Sequence, residues 1–226
     1  MLIVVPEVLP PVEALALGLR IAGETWVDGS ATSGPGAALV KRNRQLPEDS
    51  SAAREAQLVV QKALAANALF LSAALPARIY PPLFNRYGAG DGFGAHIDNA
   101  IRIDPSSATQ MRTDLSATLF LSDPESYDGG DLNIESEFGR VSYKLPAGHM
   151  LLYPATSLHS VSAIIKGERI SSFFWLQSIV RDGAAREMLF DLDQSVQSLT
   201  LDRGGDDPEV LRLTRLYHNL VRRWGA

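Results

Sequence analysis

The chain has 226 residues, 46% of them hydrophobic, and its 21 basic and 26 acidic residues give a formal net charge of −5. A chain of this size and composition is typical of one globular domain with a single main core. The acidic balance and the lack of a basic run argue against a nucleic-acid partner. The absence of cysteine excludes disulfides and thiolate metal sites.

The N-terminus, MLIVVPEVLPP, is apolar but has no basic flank, so it predicts a first strand rather than a signal peptide. No apolar run in the sequence approaches the ~20 residues that a membrane-spanning helix needs. We therefore expect no membrane partner and a cytoplasmic location.

Residues 1–77 continue with helical periodicity. The run PPVEALALGLRIAG predicts a helix that stops at Gly23, and DGSATSGPGA predicts a loop. The run EDSSAAREAQLVVQKALAANALF predicts one long helix, capped by Asp49 or Ser50, that packs on a sheet. The side expected to face that sheet consists of Leu58, Val59 and Leu64.

Residues 78–181 change to short β-like runs separated by turn residues, a pattern typical of an all-β sandwich or barrel. The runs are RIYPPLFNRY, SATLFLS, DLNIES, RVSYKLP, HMLLYP, HSVSAII and RISSFFWLQSIV.

Helical periodicity returns in residues 182–226, as AAREMLFDLDQSVQSL and DPEVLRLTRLYHNLVRRW. The second helix should be capped by Asp207 or Asp206, with Pro208 in its first turn. Its apolar stripe is too wide to leave in water, so we expect it to cover the outside of the sheet or, second, another copy in a homo-oligomer. The stripe consists of Leu211, Leu213, Leu216, Leu220 and Trp224.

The pair His96-x-Asp98 follows YGAGDGFGA, a stretch with four glycines. Side chains alternate along a strand, so the two residues would point to the same face and could bind one ion together. Glycine-rich backbone also lets a loop approach a ligand closely. The alternative is a surface histidine after a turn that leads into a strand.

A second signal lies in LHSVSAIIKGERISSFFW, where Arg169 follows His159 by ten residues. Two antiparallel strands joined by a turn at Gly167 would bring both residues to one mouth of a barrel. Two histidines and a carboxylate form the facial triad of Fe(II) oxygen chemistry, and an arginine suits a co-substrate that carries a carboxylate. His149 is the rival third ligand, but no Gly-x-Arg follows it.

The chain has, in order, His96-x-Asp98 and then His159, which begins the pattern H-x-V-x-x-I-x-x-G-x-R that ends at Arg169. This ordered set resembles the Fe(II)- and 2-oxoglutarate-dependent dioxygenases of the prolyl/lysyl-hydroxylase-like branch. Three longer stretches look most like the bacterial PKHD-type hydroxylases, and the resemblance covers residues 78–226. These stretches are NRYGAGDGFGAHIDNAI, RTDLSATLFLSDPESYDGGDL and ERISSFFWLQSIVRD.

The resemblance implies a mainly β chain with flanking helices, folded as a double-stranded β-helix (jelly roll). It places His96, Asp98 and His159 on Fe(II) and Arg169 on the distal carboxylate of 2-oxoglutarate. Tyr87 matches a tyrosine that lies beside the co-substrate in related hydroxylases.

This chain departs from the pattern at one position. Where some relatives have a second co-substrate tyrosine, the run SATLFLS has Phe120, which has no hydroxyl. Ser116 or Thr118, on the same strand face, is the expected replacement.

The activity implied is hydroxylation of an unactivated C–H bond with decarboxylation of 2-oxoglutarate to succinate. Molecular oxygen is a further substrate, and L-ascorbate is a candidate additional factor. The target is either a peptidyl proline or lysine or a small metabolite. A cupin-like metal- or ligand-binding protein without turnover is the main alternative, and nucleic-acid demethylation is a third that the acidic charge argues against.

Overall fold

The computed structural model describes residues 1–32, 39–104, 107–136 and 139–225. In these ranges the helices are α1 Pro11–Ala22, α2 Ser51–Ala66, α3 Ala68–Ala74, α4 Gly183–Arg203 and α5 Pro208–Trp224, with short 3₁₀ turns at Gly29–Thr32 and Pro124–Ser126. The strands are β1 Ile3–Val5, β2 Val27–Asp28, β3 Lys41–Arg42, β4 Arg44–Gln45, β5 Pro76–Ile79, β6 Leu83–Tyr87, β7 Gly92–His96, β8 Ile101–Ile103, β9 Gln110–Arg112, β10 Leu115–Phe120, β11 Asp128–Gly129, β12 Leu132–Ser136, β13 Gly139–Tyr143, β14 Met150–Pro154, β15 His159–Val161, β16 Ile164–Lys166 and β17 Arg169–Ser178.

Two antiparallel sheets dominate the structure. The larger sheet has eight strands in the order β1–β14–β10–β17–β6–β4–β2, with β5 also paired to β17. The smaller sheet has five strands in the order β13–β12–β15–β7–β3. Side chains from both sheets, such as Leu151 and Ile134, meet in one buried cluster, so the sheets face each other. The expected mainly β class with flanking helices is confirmed.

The outer face of the larger sheet is covered by helices. Its inner strand β10, between β14 and β17, is buried along its whole length. The main core joins Leu17 and Ile21 of α1 and Val60 of α2 to Leu119 and Phe174 of the sheet. This layer of helices makes the larger sheet the stable support for whatever lies on its inner face.

Two of the helix predictions are confirmed at their ends. Helix α1 ends at Ala22, before Gly23. Helix α2 begins after Ser50, whose Oγ accepts a hydrogen bond from the Ala53 amide at 3.1 Å.

The prediction of one long helix through residue 70 is wrong. Asn67 is extended, with φ −91° and ψ 104°, and its side chain accepts a hydrogen bond from the Phe70 amide at 2.8 Å. Asn67 therefore ends α2 and caps α3. The predicted buried face of α2 is also wrong at Leu58, which is 67% exposed, because the small side chains of Ala53 and Ala56 face the core instead.

The predicted hairpin between His159 and Arg169 does not form. His159 begins β15 in the smaller sheet, whereas Arg169 begins β17 in the larger sheet, where it pairs with Tyr87. Strand β16 lies between them in the chain and pairs with β11. Gly167 turns the chain with φ +79°, and a side chain there would collide with the backbone of Ser126.

The C-terminal helices form a hairpin at one end of the molecule. Asp207 caps α5 through the amides of Glu209 and Val210, as predicted, and Pro208 stands in the first turn. Helix α5 packs on α4 rather than on the sheet, so the predicted docking of its stripe is wrong. Val210 of α5 is buried, and Tyr217, Leu220, Val221 and Trp224 are partly buried in the cluster with Leu189, whereas Leu211 and Leu216 are exposed.

Within the described ranges, no single helix is long and apolar enough to cross a membrane. Helices α2 and α3 are long and apolar enough only when they are taken together, and the chain bends by 82° between them. The predicted loop at residues 28–37 lies partly outside the described residues, since 33–37 are not among them.

Candidate metal and co-substrate site

Two strands of the smaller sheet bring three potential metal ligands together. His96 ends β7, His159 begins β15, and the antiparallel register pairs the two directly. Asp98 lies two residues beyond the end of β7, so the prediction that it belongs to the strand of His96 is wrong, but the two side chains do lie together as predicted. One donor atom from each of the three side chains lies within 4.8 Å of the other two.

Both histidines have one ring nitrogen fixed by the backbone. The Nδ1 atom of His96 lies 2.8 Å from the Gly94 carbonyl, and that of His159 lies 3.0 Å from the Ser157 carbonyl. A carbonyl oxygen only accepts hydrogen bonds, so each Nδ1 carries the proton. Each Nε2 is left with the lone pair that a metal ion requires, which is the usual arrangement around metal-bound histidine.

The surroundings of His96 keep its ring neutral and fixed in place. Its ring stacks on that of Phe93, with centroids 3.6 Å apart and an angle of 17°. Burial, and next the charge of His159, lower the pKa of His96 to about 4. A neutral imidazole is the form that binds metals, so His96 is ready to act as a ligand near neutral pH.

Asp98 is positioned from the opposite sheet. The Ser116 hydroxyl on β10 donates a hydrogen bond of 2.6 Å to Oδ2 of Asp98, and the same oxygen lies 3.8 Å from Nε2 of His159. Ser116 was predicted as a residue for the co-substrate, and the structure gives it a partner among the candidate ligands. The bond crosses the space between the two sheets.

Arg169 is buried on the larger sheet, with 1% of its surface exposed. Among the described residues, none of its three guanidinium nitrogens has a hydrogen-bond partner. Its guanidinium lies 4.9 Å from the ring centre of Phe120 and 5.4 Å from that of Tyr87. Phe120 therefore offers Arg169 a ring face and no hydroxyl.

A buried cation with unused donors is costly unless a ligand completes its hydrogen bonds. Arg169 lines the same cavity as His96, Asp98 and His159, which has about 710 Å³ of empty space, part of it open to solvent. The donor set suits a divalent metal, and the fork of Arg169 suits a carboxylate. Fe(II) and 2-oxoglutarate therefore fit the residues present.

Besides Ser116, three hydroxyl-bearing residues line this cavity: Tyr87, Thr118 and Tyr153. Asn85 donates a hydrogen bond of 3.3 Å to the Tyr87 hydroxyl, and Asn85 itself accepts one of 2.5 Å from Ser171. Burial raises the pKa of Tyr87 and, with the charge of Asp98, that of Tyr153, so both hydroxyls stay protonated. The sequence did not point to Tyr153, because HMLLYP looks like an ordinary core strand.

Besides Arg169, two cations that the sequence analysis missed line the cavity. Lys41 lies on the short strand β3, at the edge of the smaller sheet, and Arg102 lies on β8. Both line the cavity with Phe173 and Trp175 of β17. No motif surrounds either cation, so only the pairing of strands could reveal them.

Gly94 lies where β3 meets β7. Its amide donates a hydrogen bond of 2.9 Å to the Val40 carbonyl, and its own carbonyl holds His96. A Cβ atom at this position would lie 2.7 Å from the Cβ of Val40, so only glycine fits without a shift.

The remaining histidines lie outside the cluster. His149 precedes β14 and has a buried Nδ1 without a partner in the described part of the chain. His218 is exposed on α5, beside the ring of Tyr217. Neither belongs to the group of three that could hold a metal ion.

Family models match two segments of the chain. Residues 82–177 match the model of the 2OG-Fe(II) oxygenase superfamily, and residues 183–226 match that of the PKHD-type hydroxylase C-terminal domain. A PKHD-type hydroxylase of Rhizorhabdus wittichii is 54% identical over 224 residues, which cover 99% of each chain.

Solved structures share the fold at low identity. A Trichoplax adhaerens prolyl hydroxylase, in complex with a hypoxia inducible factor peptide fragment, has a TM-score of 0.57 and 15% identity over 77% of this chain and 82% of its own. HygX of Streptomyces hygroscopicus, with nickel, 2-oxoglutarate and hygromycin B bound, has a TM-score of 0.52 and 17% identity over 78% and 82%. The predicted jelly roll is confirmed.

Proposed function

Because the chain belongs to the PKHD-type hydroxylases, we propose that His96, Asp98 and His159 hold its Fe(II) and that Arg169 holds 2-oxoglutarate. The chain is an Fe(II)- and 2-oxoglutarate-dependent dioxygenase, so the hydroxylase prediction is confirmed and the cupin-like alternative is not favoured. Iron, 2-oxoglutarate and oxygen together supply the oxidant that hydroxylates an unactivated C–H bond, and 2-oxoglutarate ends as succinate and carbon dioxide.

One observation carries the assignment of the site. A fully buried arginine with three unused donors lines the same cavity as a His, Asp, His cluster whose Nε2 atoms are left unprotonated. A protein that only bound a metal would have no use for such an arginine, which costs free energy while it lacks a partner. A co-substrate that binds the metal and carries a distal carboxylate uses both features.

The remaining polar residues divide into two roles. Ser116 orients Asp98 through its short hydrogen bond, so we assign it to the metal rather than to 2-oxoglutarate. Tyr87, Thr118 and Tyr153 present hydroxyls to the co-substrate, and the charge of Arg169 reaches both tyrosines. Tyr153 supplies the hydroxyl that Phe120 cannot.

We propose that the target is either a peptidyl proline or lysine or a small metabolite. Both kinds of ligand are named for solved structures that share the fold, a peptide in one and hygromycin B in the other. A requirement for ascorbate, a cytoplasmic location and a homo-oligomer are further proposals from the sequence. The exposed Leu211 and Leu216 of α5 are the apolar surface available for self-association.

We divide the chain into residues 1–77, the jelly-roll core 78–181 and the helical segment 182–226, and propose that they fold as one unit. The Ser72 hydroxyl of α3 donates a hydrogen bond of 2.5 Å to Asp193 of α4. Val180, just past β17, is fully buried in the cluster that includes Leu189 of α4. A chain that ends at residue 182 should lose cooperative unfolding, and light scattering on the intact protein would test the homo-oligomer.

The function is tested by a screen for substrate-dependent succinate release. Purified protein with Fe(II), 2-oxoglutarate and oxygen is given candidate peptides and small molecules, and Asp98→Ala is the matched control. Succinate release that rises with one substrate and is absent from the control supports the proposal. Bound iron without succinate release under every condition would instead indicate a binding protein.

A further inference from the structure

Two buried polar side chains lie opposite each other on the inner face of the larger sheet. Asn85 of β6 and Ser171 of β17 are direct partners in the strand register, and they are 7% and 0% exposed. The Ser171 hydroxyl donates a hydrogen bond of 2.5 Å to Oδ1 of Asn85. Because this bond uses the amide oxygen, the NH₂ group of Asn85 is the end that is left for other partners.

The partner of this NH₂ group is Tyr87, to whose hydroxyl it donates a hydrogen bond of 3.3 Å. Asn85 and Tyr87 are two positions apart on β6, so their side chains share one face of the sheet, and both line the cavity. Tyr87 is in turn the register partner of Arg169. Hydrogen bonds therefore run from Ser171 through Asn85 to a hydroxyl on the strand beside Arg169.

The stability of the sheet does not by itself explain the polar pair of Asn85 and Ser171. Replacing both partners of a buried hydrogen bond by apolar groups of the same shape is nearly neutral for stability. Apolar side chains also fit on this row, since the residue opposite Ser171 on β10 is Phe120. The effect of the pair on the Tyr87 hydroxyl gives a better reason for its presence.

A phenol oxygen can accept hydrogen bonds and has one proton to donate. Burial raises the pKa of Tyr87, against the effects of the Arg169 charge and the Asn43 amide, so the hydroxyl keeps that proton. Although the Asn43 amide lies near, neither of its polar atoms has a hydrogen-bond partner among the described residues. With Asn85 as the donor to the phenol oxygen, the proton of Tyr87 is left for an acceptor in the cavity.

We infer that Asn85, held by Ser171, is a positioning residue that turns the proton of the Tyr87 hydroxyl toward the distal carboxylate of 2-oxoglutarate. Tyr87 and Arg169 then donate to the same carboxylate from paired strands. If the amide of Asn85 were turned by 180°, its oxygen would accept the Tyr87 proton, and the phenol would present only lone pairs to the carboxylate. The inference rests on the proposed function, because it assumes that Arg169 holds this carboxylate.

The test is a double-mutant cycle of Asn85→Leu and Tyr87→Phe in zinc-loaded protein, where no turnover competes. Calorimetry measures the affinity for 2-oxoglutarate, and metal analysis checks that each variant keeps its zinc. Tyr87→Phe should weaken binding by about tenfold or more, and Asn85→Leu by about three- to tenfold. In the Tyr87→Phe background, Asn85→Leu should change the affinity by less than about twofold, because no hydroxyl is left to orient.

Asn133→Leu is the matched control. Asn133 is 8% exposed on a strand and accepts a hydrogen bond of 2.6 Å from the Ser142 hydroxyl, but it lies outside the cavity lining. This variant should bind 2-oxoglutarate as the unaltered protein does. An unchanged affinity in Asn85→Leu would overturn the inference, as would a full further loss in the Tyr87→Phe background, since Asn85 would then act by another route.

Asn85→Leu leaves the Ser171 hydroxyl buried without its partner, so the variant that combines Asn85→Leu with Ser171→Ala is made as well. The combined variant should lose the same affinity while it unfolds closer to the temperature of the unaltered protein, and it decides the test if Asn85→Leu alone does not fold. Full affinity in the combined variant would reject the role of Asn85.

Arg169→Ala separates this inference from the proposed function. If the unaltered protein does not bind 2-oxoglutarate, or if Arg169→Ala binds it equally well, the proposed function fails. If Arg169→Ala loses affinity and Asn85→Leu does not, only the positioning role of Asn85 fails.

Discussion

The two walls of the cavity are built differently. The larger sheet presents Arg169, Tyr87 and Thr118 from buried strands, and helices α1 and α2 cover its outer face. The smaller sheet presents His96 and His159 from strand ends, and its edge strand β13 is mostly exposed. The larger sheet is therefore a rigid surface for recognition. On the smaller sheet, the positions of the two histidines depend on what joins the ends of their strands.

This difference suggests that the two sheets have different roles in the site. Groups that recognise a carboxylate need fixed geometry, which the layer of helices behind the larger sheet provides. The candidate metal ligands come from two separate segments of the chain, at the ends of β7 and β15, so an ion that binds them would also hold these two strands together. Changes on the two walls should accordingly affect different properties.

The largest effect is expected on the smaller sheet. His159→Ala should abolish the binding of about one iron per chain, because two remaining ligands hold the ion poorly. Metal analysis would measure this, and iron should no longer raise the unfolding temperature of the variant. His149→Ala is the control and should keep the metal; full iron content in His159→Ala would refute the assignment.

On the larger sheet, Arg169→Ala should weaken the binding of 2-oxoglutarate while iron stays bound. Loss of a charge-assisted pair costs about 1.5 to 3 kcal/mol, or roughly 10- to 150-fold in affinity. Arg169→Lys should keep only part of the affinity for 2-oxoglutarate, because lysine lacks the planar guanidinium that pairs with a carboxylate through two hydrogen bonds. Arg86→Ala, on the neighbouring strand β6, is the control, and calorimetry with the iron-loaded protein would decide. An unchanged affinity in Arg169→Ala would mean that 2-oxoglutarate is held elsewhere.

Ser116 tests the single hydrogen bond that crosses from one wall to the other. Ser116→Ala should weaken metal binding by about 10- to 100-fold, because Asp98 loses the hydroxyl that orients it. Competition with a metal chelator would measure the change, with Ser126→Ala, an exposed hydroxyl, as the control. Metal affinity equal to that of the unaltered protein would show that Asp98 is fixed without Ser116.

The sequence singled out residues that the structure brings together, but it did not indicate how the strands carry them. His96 and His159 could be chosen because the chain has only four histidines, and Asp98 and Arg169 because of their spacing from them. Their strands could not be placed, since strand ends and sheet membership depend on long-range pairing. Asp98 thus falls beyond β7, and Arg169 lies in the opposite sheet from His159.

The other differences between prediction and structure concern single residues. The pattern of α2 treated large apolar residues as the buried side, but Ala53 and Ala56 face the core and Leu58 faces solvent. Asn67 looked like one polar residue in a continuous helix, although its side chain caps a second helix. Lys41 carried no signal at all, because it reaches the cavity only through the pairing of β3 with β7.

Gly94 has a consequence for attempts to redesign this enzyme. The Val40 side chain, just before β3, leaves no room for a Cβ atom at position 94, and the Gly94 carbonyl lies 2.8 Å from Nδ1 of His96. A side chain at position 94 would therefore force β3 or β7 to shift, and β7 carries His96. Libraries that aim at a new substrate should hold residue 94 constant.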